Sequence, residues 1–244
     1  MTPTESLYIN LQNAYKYFNN SLFMNKLPDV IFTTQRKKGV MGYFSSNRWK
    51  NQSGDYCHEI AINPAYVSRS TTLEVFQTLV HEMSHAYQHI YGKPSRNGYH
   101  NSEFYSIMQE RGLIPSSTGR AGGAKTGQRM SDYPEKDGDF IKASIELIEK
   151  GIFKVDWIDR KTEIKSEKEH RELIDELISI EIESETAQAL MNTINEDIEI
   201  LNEKEAAPKK TCYHCNLCNY SLWGKANLNL QCLDCKSPLS VKNK

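Results

Sequence analysis

Long hydrophobic runs are missing from this sequence of 244 residues: nowhere do 18 apolar residues follow one another. A helix that crosses a bilayer needs about 20 such residues, so we expect no transmembrane segment and no membrane partner. The first residues, Met-Thr-Pro-Thr-Glu, also lack the charged and apolar regions of a signal peptide. We therefore expect a cytoplasmic protein.

Cysteine is almost absent from the first 211 residues, where Cys57 is the single example. The other five cysteines lie within 24 residues near the C-terminus. In a reducing compartment, thiols clustered in this way indicate a metal site rather than disulfide bonds.

An excess of charge of one sign is also missing, because 30 Lys and Arg face 31 Asp and Glu. The distribution is nevertheless uneven: residues 161–205 hold 5 Lys and Arg against 14 Asp and Glu, which leaves 25 against 17 elsewhere. The charge distribution describes a basic body with an acidic segment, and the length suits one domain of about 150 residues and a small module. Together they predict three regions. These are a domain at 1–160, an acidic helical insertion at 161–206 and a C-terminal module at 207–244.

Residues 71–91 are predicted to form one amphipathic helix, which carries His-Glu-Met-Ser-His at positions 81–85. At 3.6 residues per turn, His81 and His85 lie one turn apart on one face, close enough to bind the same metal ion. Glu82 follows the first histidine and can take a proton from a metal-bound water. An apolar stripe predicts the buried face of the helix: Leu73, Phe76, Val80, Met83, Ala86, Tyr87 and Ile90.

A third ligand is needed, because a catalytic zinc uses three protein ligands and keeps a fourth position for water. His100 is the candidate, since it follows a Gly/Pro turn and precedes the next predicted helix. Glu103 is an alternative oxygen ligand. His89 is interpreted as a polar edge residue or a support for a ligand, because it lies two turns from His81 along the helix.

These stretches resemble the SprT-like (Spartan-type) zinc metallopeptidases, in their bacterial and phage branch. The resemblance covers roughly residues 5–160 and resumes at 209–240. Beside the HExxH pair and His100 within residues 98–104, the similar residues are Gly42-Tyr43-Phe44 with Trp49, Ile62-Asn63-Pro64, Gly92-Lys93-Pro94-Ser95, Ser117-Thr118-Gly119, and Gly122-Gly123 with Thr126-Gly127-Gln128. It implies a gluzincin-like protease core with His81, His85 and His100 on zinc and Glu82 as the base. From the eukaryotic relatives it also implies cleavage of proteins crosslinked to DNA.

The hydrophobic pattern predicts an α+β fold in which a small mixed or antiparallel sheet packs on helices. The resemblance makes this a minimal zincin-like core. Helices are predicted at residues 4–24, 101–111 and 140–150, and strands at 30–34, 39–44, 59–62 and 153–157, the first two joined by a basic hairpin at 35–38. An edge strand at residues 60–63 or 42–45 can line the cleft and pair with an extended substrate.

A long loop rich in Gly, Ser and Thr is predicted at residues 114–138. Loops of this length in compact domains are usually functional or disordered. It contains no GxxxxGK[ST] pattern, which disfavours nucleotide binding. We expect it to drape over the metal cleft, where it contacts substrate or supports the zinc ligands.

The acidic segment at 161–206 is where the chain departs from the resemblance. Its apolar positions alternate in steps of four and three, as in a heptad seam: Leu173, Leu177, Ile180, Ser184, Ala187, Met191, Ile194, Ile198 and Leu201. The segment is interpreted either as a helix or helical hairpin on the parent domain, or as a coiled coil that makes a homo-oligomer or binds a partner protein.

The C-terminal module at 207–244 contains two CxxC pairs, Cys215 with Cys218 and Cys232 with Cys235. Four thiolates close the coordination shell, so the spacing predicts a zinc ribbon whose structural zinc is needed for folding. Cys212 can replace one ligand through a second CxxC with Cys215. The ribbon of the resembling family favours Cys215 and Cys218.

Basic and aromatic residues of this module suit single-stranded or distorted DNA, through phosphate contacts and base stacking. The candidates are Lys209, Lys210, Tyr220, Trp223 and Lys225. The alternative is a ribbon that only caps the domain or binds protein.

The function predicted from the sequence is a zinc-dependent endopeptidase with one catalytic and one structural zinc ion, acting on DNA-associated or DNA-crosslinked proteins. Its oxyanion stabiliser is left open among Tyr99, Arg120 and Arg129. The alternatives are a non-proteolytic DNA-binding adaptor that uses the ribbon and the helical insertion, and a zinc hydrolase that is not a protease.

Overall fold

The computed structural model describes residues 1–67, 70–96, 98–157, 159, 190 and 210–241. The chain divides into two compact units, residues 1–198 and 199–244. Apart from Leu190, the acidic insertion predicted at 161–206 lies outside the described residues, as does Lys209. None of the helices in the described ranges has the length and apolar character that crossing a bilayer requires.

Helix α1 (Pro3–Phe23) opens the first unit and confirms the predicted helix to within a residue. Thr2 and Glu5 form a capping box, and Pro3 stands in the first turn, where a missing amide hydrogen costs nothing. The helix ends at Met24, which adopts a left-handed conformation with φ of 55°. Its buried side chains include Leu11, Ala14, Tyr15, Phe18 and Phe23.

Three strands form a mixed sheet: β1 (Val30–Thr34), β2 (Gly42–Lys50) and β3 (Tyr56–Ile62). The order is β1-β3-β2, with β1 parallel and β2 antiparallel to β3. The predicted hairpin at 35–38 is therefore wrong, because β3 lies between the two strands that it was expected to join. Of the two proposed cleft strands, residues 42–45 lie on the edge strand β2, whereas residues 60–62 belong to the central strand.

After the short helix α2 (Pro64–Val67), the predicted HExxH helix is found as α3 (Thr72–Tyr91). Thr71 and Glu74 close a capping box at its start. The apolar stripe is buried as expected at Leu73, Phe76, Val80, Met83 and Ala86, while Tyr87 is half-buried and Ile90 is exposed. Burial of this stripe fixes the rotation of the helix and turns the histidine face away from the core.

Helix α4 (Ser102–Gln109) is followed by β4 (Leu113–Ser116) and β5 (Ser131–Pro134). The two strands pair in antiparallel fashion, with Ile114 opposite Tyr133. The long loop predicted at 114–138 thus begins and ends in strands, and residues 117–130 form the connection between them. Gly112 precedes β4 with φ of 77°, a conformation that favours glycine.

Helix α5 (Asp139–Glu149) completes the helical layer. The rings of Phe18 and Phe76 lie 5.3 Å apart, Phe140 stacks on Phe18 at 6.1 Å, and Phe153 meets Phe76 at 4.9 Å. These aromatic contacts join α1, α3 and α5 in one core. Residues 153–157 are not the predicted strand: Phe153 is buried and Val155 packs against the core, so their alternation reflects one-sided packing without strand pairing.

The second unit contains β6 (Thr211–Cys215), β7 (Tyr220–Gly224) and β8 (Ser240–Val241), in the order β7-β6-β8. Its buried side chains include Tyr213, Cys215 and Cys232. The Tyr213 hydroxyl donates to the Lys225 carbonyl at 2.7 Å and accepts from the Leu228 amide at 2.8 Å. Such a small apolar core contributes little to the stability of this unit, so a metal ion bound by its cysteines would supply most of it.

Candidate metal centre

His81 and His85 project from the same face of α3, and their ring centroids lie 5.0 Å apart. The third predicted residue, His100, stands just before α4 and comes back onto this face. Its Nε2 atom lies 3.1 Å from Nε2 of His81 and 3.2 Å from Nε2 of His85. The three histidines therefore form one group whose ring nitrogens could hold a metal ion.

The spacing of these nitrogens fits zinc. Tetrahedral ligands about 2.0–2.1 Å from a zinc ion stand about 3.3 Å from one another, close to the nitrogen separations found here. A donor set of imidazoles suits zinc among other transition ions. Three protein ligands leave a tetrahedral ion one further position.

The outer nitrogens of two of these rings are fixed by hydrogen bonds. Nδ1 of His81 lies 3.0 Å from Oδ2 of Asp132 on β5, and Oδ1 of Asp132 accepts a hydrogen bond from the side-chain amide of Gln77 at 3.1 Å. Nδ1 of His100 lies 3.1 Å from the Gly127 carbonyl. Partners of this kind hold Nδ1 as the donor and leave Nε2 free for a metal ion.

Gly127 also binds the backbone of His100. The His100 amide donates to the Gly127 carbonyl at 2.8 Å, and the Gly127 amide donates to the His100 carbonyl at 3.1 Å. The loop at residues 117–130 thus supports a ligand, one of the two roles expected for it. Asp132 was not among the residues predicted from the sequence, where the available signal was only the general need of a metal-binding histidine for a carboxylate or carbonyl partner.

An aromatic ring packs beneath the centre. Phe104 is fully buried and stacks on His85, with 4.2 Å between the ring centroids. Its centroid lies 5.1 Å from that of His81 and 4.9 Å from that of His100. Burial lowers the pKa of His85 well below its usual value and that of His100 to about 4. Burial alone would lower the pKa of His81. The hydrogen bond to Asp132 and the negative charges of Glu82 and Asp132 outweigh burial, so the pKa of His81 is raised.

Glu82 is 6% exposed and lies against the edge strand β2. A Cβ added to Gly42 would stand 3.3 Å from the Cγ atom of the Glu82 side chain. Burial raises the pKa of Glu82 to about 7, although His81 and the Phe44 amide act in the opposite direction. A carboxyl group beside the histidines is thus held by the strand at the sheet edge.

The competing residues have other partners. Glu103 accepts hydrogen bonds from the Gln88 side chain and the Lys93 amide, each at 2.7 Å, and is not part of the histidine group. The exposed His89 ring lies 5.5 Å from His58 and 5.9 Å from Phe44. His89 therefore belongs to an aromatic cluster at the sheet edge, in agreement with its interpretation as a polar edge residue.

The second metal-ligand group consists of Cys215, Cys218, Cys232 and Cys235. Sγ of Cys215 lies 3.5 Å from Sγ of Cys235, and the Cys218 and Cys232 sulfurs are 3.8 Å apart. A tetrahedral zinc ion with thiolates at about 2.3 Å separates them by about 3.8 Å, so the arrangement fits this ion. Cys212 instead sits opposite Trp223 in the β6–β7 ladder, outside the four-cysteine group.

The predicted nucleic-acid residues of the second unit fall into different environments. The interaction with Cys232 raises the pKa of the Tyr220 phenol to about 12. Trp223 is 61% exposed on β7. Lys210 is exposed and Lys225 lies in the turn after β7. Tyr220 is therefore tied to the cysteine cluster, whereas Trp223 offers an accessible aromatic face.

Comparison with known proteins agrees with this geometry. A profile described as the SprT-like family matches residues 11–118, a range that includes all three histidines. A Salmonella typhimurium protein, described as an uncharacterized protein in the mucB 3′ region, is 43% identical over 54 residues, which is 22% of this chain and 73% of that protein. No solved structure matches the chain. The chain belongs to the SprT-like family.

Proposed function

We propose that this chain is a zinc-dependent endopeptidase with a zincin-like core of the SprT-like type. The observation that carries the proposal is the convergence of three imidazole Nε2 atoms beside the buried Glu82. His81, His85 and His100 would hold the ion. When bound there, zinc supplies Lewis-acid chemistry, which activates water and polarises a peptide carbonyl.

The residues of the chain perform the remaining tasks. A carboxylate oxygen of Glu82 accepts the proton that the attacking water loses, and the same group later donates it to the leaving amine. Asp132 and Gly127 keep the ligand rings in one orientation and one tautomer. The edge strand β2 offers its outer side to an extended substrate, which can pair with it as a further strand.

The proposed substrates are proteins associated with or crosslinked to DNA, reached through the four-cysteine ribbon. The support for this part is the exposed Trp223 ring together with Lys210 and Lys225, a composition that suits stacking on single-stranded or distorted DNA. Clustered free thiols with metal-ligand spacing favour a reducing compartment, so we place the activity in the cytoplasm. The acidic insertion is assigned to contact with a second copy or a partner protein.

The test compares wild type with Glu82→Gln on an unfolded protein and on a DNA-bound protein, with zinc measured in each preparation. We expect cleavage to fall about 10²–10⁴-fold in Glu82→Gln, because the general base is lost, while the zinc content stays the same. Glu110→Gln, a surface carboxylate on the far end of α4, serves as the matched control and should cleave normally.

Equal cleavage by wild type and Glu82→Gln would remove this mechanism. The adaptor alternative predicts another pattern: a chain that binds single-stranded DNA, retains one zinc ion on its cysteines and cleaves nothing. The exposed Trp223 suits both functions, and the zinc content separates them, because the endopeptidase would hold a second ion on its histidines. A zinc hydrolase that is not a protease would keep both ions and act only on smaller substrates.

A further inference from the structure

A single buried carboxylate stands on the face of the sheet that points away from α3. Glu59 on the central strand β3 is 1% exposed, although its neighbours on that face include the exposed side chains Ile31 and Trp49. A buried carboxylate is costly unless hydrogen bonds replace its water.

Four neutral donors reach the Glu59 carboxylate. Its Oε1 atom accepts from the Tyr43 hydroxyl at 2.8 Å, and from Thr33 and Gln35 of the β1 side at 3.3 Å each. Its Oε2 atom accepts from the Trp49 indole nitrogen at 2.7 Å. Burial and the Glu59 charge raise the pKa of Tyr43 to about 12, so the phenol remains a donor. Glu59 thus joins both outer strands to the central one.

This network ends next to Glu82. Tyr43 directly follows Gly42, which lies so close to α3 that an added Cβ would stand 2.9 Å from Thr78 Cγ2 and 3.3 Å from Glu82 Cγ. The irregularity of β2 between Ser45 and Trp49 interrupts its pairing with β3. Tyr43 and Trp49 are hydrogen-bonded to Glu59 from either side of that interruption.

We propose that Glu59 is a positioning residue for the active site: by holding Tyr43 and Trp49 it fixes the edge strand β2, and through the close packing of Gly42 on α3 it fixes the Glu82 side chain. This inference rests on the proposed function, because it assigns Glu59 a role in the reaction of Glu82. Glu59 itself acts from the opposite face of the sheet and does not contact the histidines' face.

The experiment uses the zinc-loaded full chain with Tyr43→Phe and Glu59→Gln. In both variants we expect kcat on an unfolded protein to fall about tenfold with KM within about twofold, since a small displacement of a reacting group lowers the rate rather than binding. Zinc content should not change. Amide hydrogen exchange at Phe44 should accelerate about tenfold, because the strand edge is loosened. Tyr56→Phe, on the neighbouring strand and 61% exposed, is the matched control that should leave both unchanged.

Unchanged exchange at Phe44 in Tyr43→Phe, or faster exchange with an unchanged kcat, would overturn the proposal. Tyr43→Phe retains the ring and the Glu59 charge, so it keeps the test decisive if Glu59→Gln does not fold. If wild type cleaves no protein, the proposed function fails. The exchange at Phe44 then still decides whether the Glu59 network holds the strand beside Glu82.

Discussion

The histidine group and the cysteine group are both suited to zinc, yet they are built in different ways. The histidines come from one helix and a return turn, and a fully buried Phe104 and an aromatic core support them independently of any ion. The four cysteines lie in a unit whose buried side chains include Tyr213 and two of the ligands themselves. This difference predicts that a bound ion would add chemistry to the first group and stability to the second.

The largest expected effect follows from this contrast. Removing metal from the full chain with a chelator should unfold residues 210–241 and leave the fold of residues 1–157 intact, because structural zinc contributes about 10–16 kcal/mol in comparable small modules. Limited proteolysis and amide hydrogen exchange report the two units separately. Cys215→Ser should reproduce the effect in the ribbon alone, and His81→Ala should not. Retained amide protection at 210–241 after chelation would remove the distinction.

Weakening the hydrogen-bond partner of His81 should have a smaller effect, which is confined to zinc affinity. Asp132→Asn weakens the acceptor opposite Nδ1 of His81, and we expect zinc affinity at the histidines to fall about 10–100-fold with the melting temperature nearly unchanged. Competition with a chromophoric chelator measures it. Glu135→Gln, an exposed carboxylate just after β5, is the control. An affinity equal to wild type in Asp132→Asn would show that the ring needs no such partner.

The close packing of strand β2 on helix α3 can be tested at Gly42. A Cβ at this position would lie 2.9 Å from Thr78 Cγ2 and 3.0 Å from the Ala61 carbonyl. Gly42→Ala should therefore destabilise the first unit by about 1–3 kcal/mol and lower kcat, because the strand must move away from Glu82. Thermal unfolding and cleavage rates measure the two effects. Ser46→Ala, exposed on the same strand, should change neither.

The smallest effect separates two aromatic residues of the ribbon. Tyr220→Phe removes the hydroxyl that interacts with Cys232, and we expect chelator-driven zinc loss to become about tenfold faster at most, as for the loss of one interaction of about 1 kcal/mol. Binding of a single-stranded oligonucleotide should be unchanged. Trp223→Ala should show the reverse: normal zinc retention and weaker oligonucleotide binding. If Tyr220→Phe weakens oligonucleotide binding and Trp223→Ala does not, the Tyr220 hydroxyl and not the Trp223 ring contacts the oligonucleotide.

Local patterns in the sequence predicted the local parts of the structure. The apolar stripe from Leu73 to Ala86 was sufficient to define α3 and the orientation of its histidines. The CxxC pairs likewise predicted the four-cysteine group. In these stretches the residues that decide the geometry are close together along the chain.

Contacts between residues far apart in the chain could not be predicted from the sequence. Asp132 meets His81 only because β4 and β5 pair in one register, and the strand order that places β3 between β1 and β2 contradicts the expected hairpin. The alternation at residues 153–157 was misleading because a segment that packs one side on a core shows the same period as a strand. Glu59 could not be singled out either, since its four donors come from distant positions.

The mutual backbone pairing of His100 with Gly127 has a consequence for how the protein is made. A chain that is still on the ribosome carries His81 and His85 well before Gly127 and Asp132 have been synthesised. The three-histidine group therefore cannot reach its supported geometry until β5 has emerged. The protease proposed above would accordingly stay inactive on a nascent chain beside other newly made polypeptides.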